Sequence, residues 1–350
     1  MGNALVVERH RATAEFISRA RTVLETTHEL DHRSPARERM LDSLDRAFRA
    51  LDTRDPMGEA FYASLPAAWA ALEEGIKTAG QPLDVTLHAI GHAHIDIAYL
   101  WPISQVRRKN ARTTTNVLRL MDDYPDFRFA QSQPQLYRYA EEDYPELFKS
   151  ITERVAEGRW EPMGGMWVEA DLNIPGAEAL VRQLVLGRRY FEDRFDGADT
   201  PALWLPDTFG FPACMPQLMK LSGLKWFVTN KLNWNQTNAL PSSSHWWRGL
   251  DGTEVLAHVL TTPRDVQYLP FPTNYKSDLT AKEVIGTWDR STAKAQVRDL
   301  PICFGYGDGG GGPTDDLIRK AEASAAMPGM PEVRFSSVRE AMEAIEAAGD

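Results

Sequence analysis

The feature that most limits the fold is a change of periodicity at Leu83. From there onward, short apolar runs alternate with longer segments of helical spacing. Such alternation predicts a parallel sheet covered by helices, either a closed barrel or an open doubly wound sheet. The predicted strands are 84–92, 127–132, 160–163, 202–206, 225–230, 253–260, 301–306 and 332–336. The predicted helices are 104–121, 134–157, 176–195, 214–222, 281–298, 315–326 and 337–348.

The first 82 residues lack this alternation and predict a small all-helical region. Apolar residues recur at helical spacing over 12–30, after Ser34-Pro35 and over about 58–78. Gln81-Pro82 then interrupts the pattern before the first strand. We therefore expect two parts, an N-terminal helical region over 1–82 and an α/β region over 83–350.

Three side chains that commonly bind metals follow the first predicted strand. His92, His94 and Asp96 occupy alternate positions, and alternate residues of an extended chain face the same side. Imidazole nitrogen and carboxylate oxygen together suit zinc and related divalent ions. The alternative is that these histidines are hydrogen-bonded and inert.

Polar side chains also follow three later strands. Asp207 comes after the strand at 202–206, Asn230 and Lys231 follow the next strand, and Asp308 follows the strand at 301–306. In α/β folds the chemistry gathers at the carboxyl ends of the strands. From its position alone, Asp207 could complete a metal site, act as a nucleophile, or cap the helix predicted at 214.

The glycine-rich stretch around Asp308 also invites a dinucleotide-binding interpretation. Residues 305–310 match Gly-x-Gly-x-x-Gly between a strand and a helix. However, the next strand ends in Ser336-Ser337, where an acidic residue should hold the ribose. No Lys-Ser or Lys-Thr follows the glycines, so a Walker loop is excluded as well. The glycines instead let a ligand approach the Asp308 carboxylate closely.

The charge balance bears on partners and location. The chain carries 49 acidic against 39 basic residues, which argues against nucleic acid or an anionic membrane as a partner. It contains no secretory pattern and no apolar stretch of the roughly 20 residues that a membrane span needs. Its two cysteines, Cys214 and Cys303, do not form a disulfide framework. We expect a cytoplasmic protein.

Four motifs in this order resemble those of glycoside hydrolase family 38, the retaining, metal-dependent α-mannosidases. They are 91–96, 164–169, 204–210 and 305–312. The similarity is greatest to the bacterial and cytosolic–vacuolar branch. It implies an irregular, seven-stranded-type β/α barrel of the glycoside hydrolase and deacetylase kind. It also implies hydrolysis of terminal α-linked mannose from oligosaccharides or mannosides.

The resemblance implies roles for individual residues. His94 and Asp96 would bind zinc, or cobalt or another divalent cation. Asp207 would be both the third ligand and the nucleophile that forms a covalent glycosyl-enzyme. Asp308 would be the acid/base, and His92 would lie behind the ligands without binding the metal. The implied substrate-binding residues are Trp101, Phe209 and Lys231.

Relatives carry a fourth metal ligand, a histidine, and large β-domains beyond the α/β region, whereas this sequence ends at Asp350. The resemblance therefore implies the N-terminal part of a longer enzyme, weakly active or inactive alone, since metal affinity depends on ligand count. A surface left exposed by missing domains could drive homo-oligomer formation. The alternatives are a metal-dependent sugar deacetylase-like hydrolase and a non-catalytic carbohydrate-binding fragment.

Overall fold

The computed structural model describes residues 2–267, 269–270, 272–307 and 309–349, with side chains from residue 6 onward. The chain divides into two compact units. The first contains the residues up to 87 together with 279–285 and 316–334, and the second contains 88–278, 286–315 and the residues from 335 onward.

Three helices build most of the first unit, which confirms the helical character predicted for residues 1–82. They are α1 (Gly2–Glu29), α2 (Pro35–Ala50) and α3 (Glu59–Ala79). Phe16 and Trp69 pack with ring centroids 5.9 Å apart. A Cβ atom at Gly75 would lie 2.0 Å from Cβ of Ser43. Only glycine therefore lets α2 and α3 pack this closely.

The first sheet contains five strands and includes the strand that precedes the His-x-His-x-Asp motif. Its strands run in the order β3, β2, β1 and β8, and β9 pairs with β1 as well. Pairing is parallel between β1 and β2 and between β2 and β3. The strands are β1 (Leu83–His92), β2 (Phe129–Gln131), β3 (Trp160–Pro162), β8 (Asp299–Phe304) and β9 (Pro331–Phe335).

The second sheet has the order β4, β5, β7 and β6. Its strands are β4 (Ala202–Leu205), β5 (Trp226–Thr229), β6 (Ser244–Arg248) and β7 (Glu254–Val259). The first two pairings are parallel, and β6 pairs antiparallel with β7. The sequence analysis did not predict β6, because its Ser-His-Trp-Trp-Arg sequence lacks an apolar run.

The remaining helices are α4 (Ile103–Asp123), α5 (Pro134–Asp143), α6 (Pro145–Ala156), α7 (Ala177–Arg194), α8 (Met215–Leu221), α9 (Ala281–Asp289), α10 (Asp315–Ser324) and α11 (Val338–Ala348). Two predictions about helices were wrong. The single helix predicted over 134–157 is divided at Tyr144, because a residue before proline disfavours the helical conformation. The helix predicted over 281–298 ends at Asp289.

These elements confirm a mixed α/β fold with parallel pairing. The predicted barrel is not confirmed, because the strands form two sheets that do not close on themselves. Beyond the three-residue strand β3, the chain turns through Gly164 and Gly165, both at positive φ. Pairing towards β4 is thereby reduced to one bridge, between Gly164 and Leu203. Among the described residues, every helix is too short or too polar to cross a lipid bilayer.

Candidate active site

A cavity of about 400 Å³ lies where β1 and β4 end, in the second unit. It is lined by His94, Ile95, Asp96, Ile97, Tyr99, Gln133, Val168, Glu169, Asp207 and Phe209. Three of the lining residues are carboxylates, and His94 is almost completely buried. The cavity therefore combines sugar-sized space with a concentrated set of metal-type ligand atoms.

Side chains from β2 and the residues after it fix the end of β1 in place. The amide of Gln131 donates to the carbonyl of Ala93, and the amide of Gln133 donates to the carbonyl of Ile95 at 2.9 Å. The backbone N–H of Gly310 donates to the carbonyl of His94. These bonds satisfy the backbone of a segment that has left the sheet, and they orient His94 into the cavity.

His94, Asp96 and Asp207 form the candidate metal centre. Nε2 of His94 lies 3.1 Å from Oδ1 of Asp96 and 3.4 Å from Oδ2 of Asp207. One ligand atom from each residue lies within 4.8 Å of the other two. One imidazole and two carboxylates fit a divalent cation by ligand chemistry and by spacing.

The charge around His94 is strongly negative. Glu169 approaches from the other side of the ring, with Oε2 lying 3.1 Å from Nδ1. Burial favours the neutral imidazole, but the carboxylates of Glu169, Asp96 and Asp207 outweigh it and raise the pKa of His94 to about 10. The hydrogen bond from His94 in turn lowers the pKa of Asp96. In the metal-free state the histidine itself supplies positive charge to this cluster.

Asp207 has two further partners from the second unit. Nζ of Lys231 lies 2.8 Å from its Oδ1, and the hydroxyl of Tyr275 donates to its Oδ2 at 2.9 Å. The Lys231 ammonium is buried and lies 3.6 Å from the centre of the Trp234 ring. Asp207 does not cap α8, whose N-cap is Cys214. Its carboxylate is therefore held in one orientation by three neighbouring side chains.

His92 lies behind this cluster. Its Nδ1 is hydrogen-bonded to the carbonyl of Ala130, and its ring packs edge-on against Trp204. Burial lowers the pKa of His92 to about 4, so that its imidazole is neutral near pH 7. His92, His94 and Glu169 form a second group in which one ligand-type atom of each residue lies within 4.8 Å of the other two.

The predicted substrate residues occupy different places. Phe209 lines the cavity and is 59% exposed. Trp101 packs against the apolar cluster that includes Ile95, and Nζ of Lys109 lies 3.3 Å from the centre of its ring. Lys231 contacts Asp207, so its position is explained by the predicted nucleophile. Asp308, the predicted acid/base, lies outside the described residues.

Comparison with known proteins gives the family. The profile of the "Glycosyl hydrolases family 38 N-terminal domain" matches residues 84–350. The chain belongs to glycoside hydrolase family 38. It is 37% identical over 306 residues to alpha-mannosidase 2C1 of Homo sapiens, and 37% identical over 258 residues to alpha-mannosidase G of Dictyostelium discoideum. These alignments cover 86% and 74% of this chain.

The fold also matches a solved structure of this family. The crystal structure of an alpha-mannosidase from Enterococcus faecalis V583 superimposes with a TM-score of 0.61 at 18% identity. The match covers 75% of this chain and 29% of that chain. This family member spans only 28% of the human relative and 23% of the Dictyostelium relative.

Three residues of the site were not predicted. Glu169 belongs to one of the family 38 motifs, but nothing in its spacing indicated contact with His94. Tyr275 follows no predicted strand, so the rule that selected Asp207 could not select it. Gln133 has a left-handed backbone with φ of 68°, and this conformation has no sequence signal at a glutamine. Of these three residues, only Gln133 would have been found by a search for polar residues directly after every predicted strand.

Proposed function

We propose that this family 38 chain carries the catalytic centre of a retaining, metal-dependent α-mannosidase. The observation that carries the proposal is the convergence of His94, Asp96 and Asp207 within 4.8 Å, in a cavity of about 400 Å³. The relatives named above are α-mannosidases, which supports α-mannosides as the carbohydrate substrates. No observation favours the deacetylase or the non-catalytic alternative.

His94, Asp96 and Asp207 would hold the cation. We propose Zn²⁺, with Co²⁺ as an alternative, because imidazole and carboxylate ligands accept both. When bound, a divalent cation supplies positive charge that polarises the oxygen atoms of the substrate that it contacts.

Asp207 is the proposed nucleophile. In a retaining glycosidase one carboxylate attacks the anomeric carbon and forms a covalent glycosyl-enzyme. Lys231 and Tyr275 support this role, because they fix both oxygens of Asp207 before a substrate arrives. Such fixation lowers the entropic cost of reaching the reactive geometry. Phe209 and Tyr99 line the cavity and provide apolar surfaces for a sugar ring.

Asp308 is the proposed acid/base. A retaining mechanism needs a second carboxyl group about 5 Å from the nucleophile, which protonates the leaving oxygen and then activates water. The glycine-rich loop supports this assignment, since the backbone N–H of Gly310 donates to the carbonyl of His94. Gly310, two residues after Asp308 in the sequence, therefore contacts the segment after β1 that carries the proposed metal ligands.

We also propose that the α/β part of the chain is an irregular, incompletely closed β/α barrel that begins near residue 83. Two bridges outside the sheets support this architecture. Gly164 pairs with Leu203, and Ser277 pairs with Phe304, in each case in parallel. The first bridge adds backbone pairing at β4, and the second adds backbone pairing at β8. The family profile begins at residue 84, which supports the boundary.

The decisive experiment is covalent trapping. The chain would be incubated with a fluorinated, activated α-mannoside, and the modified peptide would be identified by mass spectrometry. We expect one mannosyl adduct on the peptide containing Asp207. The adduct should not form in chain pretreated with a chelator, and it should be absent from Asp207→Asn. Glu178→Gln, a change at an exposed residue of α7, is the control and should retain the adduct.

Hydrolysis of a chromogenic α-mannoside gives a second readout. We expect Asp207→Ala to reduce the weak hydrolysis expected of this chain to the level of the uncatalysed blank, because nucleophile removal abolishes the covalent step. Near-normal hydrolysis by Asp207→Ala, or an adduct on a different carboxylate, would contradict the proposed nucleophile. Hydrolysis that persists after removal of all metal would contradict the metal dependence.

A further inference from the structure

We propose that Glu169 is a positioning residue that orients the His94 imidazole so that Nε2 faces the metal. The inference rests on the metal site of the proposed function. It adds to that site a carboxylate that contacts a ligand from behind.

The contacts of His94 divide its two ring nitrogens. Nε2 faces Asp96 and Asp207, at 3.1 and 3.4 Å, while Nδ1 lies 3.1 Å from Oε2 of Glu169. A neutral imidazole has one N–H and one lone pair. When Asp96 and Asp207 hold a cation, the carboxylate beside Nδ1 favours the tautomer with N–H at Nδ1, which leaves the lone pair of Nε2 for that cation. Metal-binding histidines commonly donate their other N–H to such a carboxylate.

Glu169 is itself held in place. The hydroxyl of Ser132 donates to its Oε1 at 2.5 Å, and its backbone N–H donates to the side-chain oxygen of Gln133 at 3.1 Å. The Glu169 side chain is only 6% exposed. Oε2 has no aligned hydrogen-bond partner, although it lies within contact distance of His94. One oxygen is therefore anchored, and the other is left for the imidazole.

The same atoms also form a potential ligand set for a second cation. His92, His94 and Glu169 each offer one ligand atom within 4.8 Å of the other two. Nε2 of His92, Nδ1 of His94 and Oε2 of Glu169 each lack an aligned hydrogen-bond partner. However, a neutral imidazole has one lone pair, so His94 offers a cation one of its two nitrogens and not both. We therefore expect one metal ion per chain, with Glu169 acting on the ligand.

The test is a Co²⁺ titration of the whole chain, followed by the visible absorption of the bound ion and by competition with a chelator. Glu169→Leu removes both carboxylate oxygens at similar size, Glu169→Gln keeps one carbonyl acceptor, and Ser132→Ala releases the anchored oxygen. We expect Glu169→Leu to weaken affinity by about 10- to 100-fold, the range for such partners. The losses should decrease in the order Glu169→Leu, Glu169→Gln, Ser132→Ala.

The absorption spectrum should change along the same series, because the orientation of His94 sets the ligand field. The control Glu178→Gln should match the wild type in affinity and spectrum. Ser132→Ala leaves Glu169 intact, so it tests the inference even if Glu169→Leu does not fold. A smaller affinity loss together with a shifted spectrum is expected for it.

Two results would overturn the inference alone: binding of two ions per wild-type chain, or wild-type affinity and spectrum in both Glu169→Leu and Ser132→Ala while His94→Gln loses the ion. Equal binding by the wild type and His94→Gln would instead refute the metal site of the proposed function. Absence of Co²⁺ binding by the wild type would overturn both. The two failures therefore give different patterns.

Discussion

Two buried histidines of the same chain segment differ in the contacts of their ring nitrogens. His88 lies within β1, where Nδ1 is hydrogen-bonded to Ser336 and Nε2 to Asp299, at 2.8 and 2.9 Å. His94 follows the end of β1, and carboxylates lie on both sides of its ring. Both imidazoles are buried. Burial and acidic neighbours therefore do not separate a structural histidine from a metal ligand.

The difference lies in how the hydrogen-bonding capacity is used. His88 makes two short hydrogen bonds, one from each ring nitrogen, as most buried polar groups do. At His94 one nitrogen faces two carboxylates and the other lies near a third without alignment. Crowded carboxylates around one imidazole are costly without a cation, and such perturbed groups concentrate at functional sites. The comparison thus predicts that metal binding depends on His94 and that folding stability depends on His88.

The largest effect on metal affinity is expected for His94→Gln. Loss of a ligand should weaken Co²⁺ binding by more than about 100-fold, beyond the range for outer partners, which corresponds to about 2.7 kcal/mol. Competition with a chromophoric chelator measures the affinity. His10→Gln, at an exposed position of α1, is the control. Wild-type affinity in His94→Gln would remove the distinction between the two histidines.

His88→Ala should reduce the free energy of unfolding by about 3 kcal/mol. The change removes two buried hydrogen bonds and leaves a cavity in the interior. Urea denaturation at pH 7 measures the loss. Ser336→Ala should lose about 2 kcal/mol, because it removes one of these bonds and the bond that Ser336 donates to Glu340. Co²⁺ affinity should remain within about twofold of the wild type. A large affinity loss in His88→Ala would show that the two sites are coupled.

Addition of metal should stabilise the wild type and His88→Ala by the same amount. At a free metal concentration 100 times the Kd, the expected gain is about 2.7 kcal/mol. His94→Gln should gain far less at that concentration. Urea denaturation with and without Co²⁺ measures the difference. An equal gain in all three proteins would indicate that the ion binds elsewhere.

A third buried histidine, His258, is hydrogen-bonded to a serine and not to a carboxylate, and it gives the smallest expected effect on stability. His258 is buried in β7, bonds to Ser244 at 2.9 Å, and has a pKa that burial lowers to about 3. Because the unfolded pKa is about 6.5, the folded state binds fewer protons between these values. His258 therefore contributes stability above about pH 6.5, and this contribution is lost as the pH falls towards 3.

The matching experiment compares the wild type with His258→Gln, which does not titrate. As the pH falls from 6 to 5, the wild type should lose about 1.4 kcal/mol more than the variant, because one proton is taken up on unfolding. Urea denaturation at each pH measures the difference. A constant difference between the two proteins over this range would contradict the neutral, buried state of His258.

The fold was predictable wherever a local pattern decided it. The alternation after Leu83 predicted eight of the described strands within a few residues, since apolar runs in a parallel sheet are buried on both faces. It failed at β6, an antiparallel, largely unburied strand that pairs with β7. It also joined α5 and α6, although Pro145 gave a local signal that the sequence analysis did not use.

The site was predictable only in part, for a related reason. His94, Asp96 and Asp207 each follow a strand, and strand ends meet at one edge of the fold. The contacts of Glu169 and Tyr275 join residues far apart in sequence, as in the 75-residue separation between His94 and Glu169. No local periodicity encodes such pairs. Their recognition required the three-dimensional structure.

Gln133 has a consequence for protein engineering. With φ of 68°, it adopts a backbone conformation that is unfavourable for a non-glycine residue. Its side-chain amide bonds to Ile95 on one side and to the backbone of Glu169 on the other. The His-x-His-x-Asp motif therefore cannot be transferred to another protein without the residues that support it. A designer who grafts it onto another α/β scaffold must also transfer residue 133 and its left-handed turn, or the segments that carry His94 and Glu169 will lose their common support.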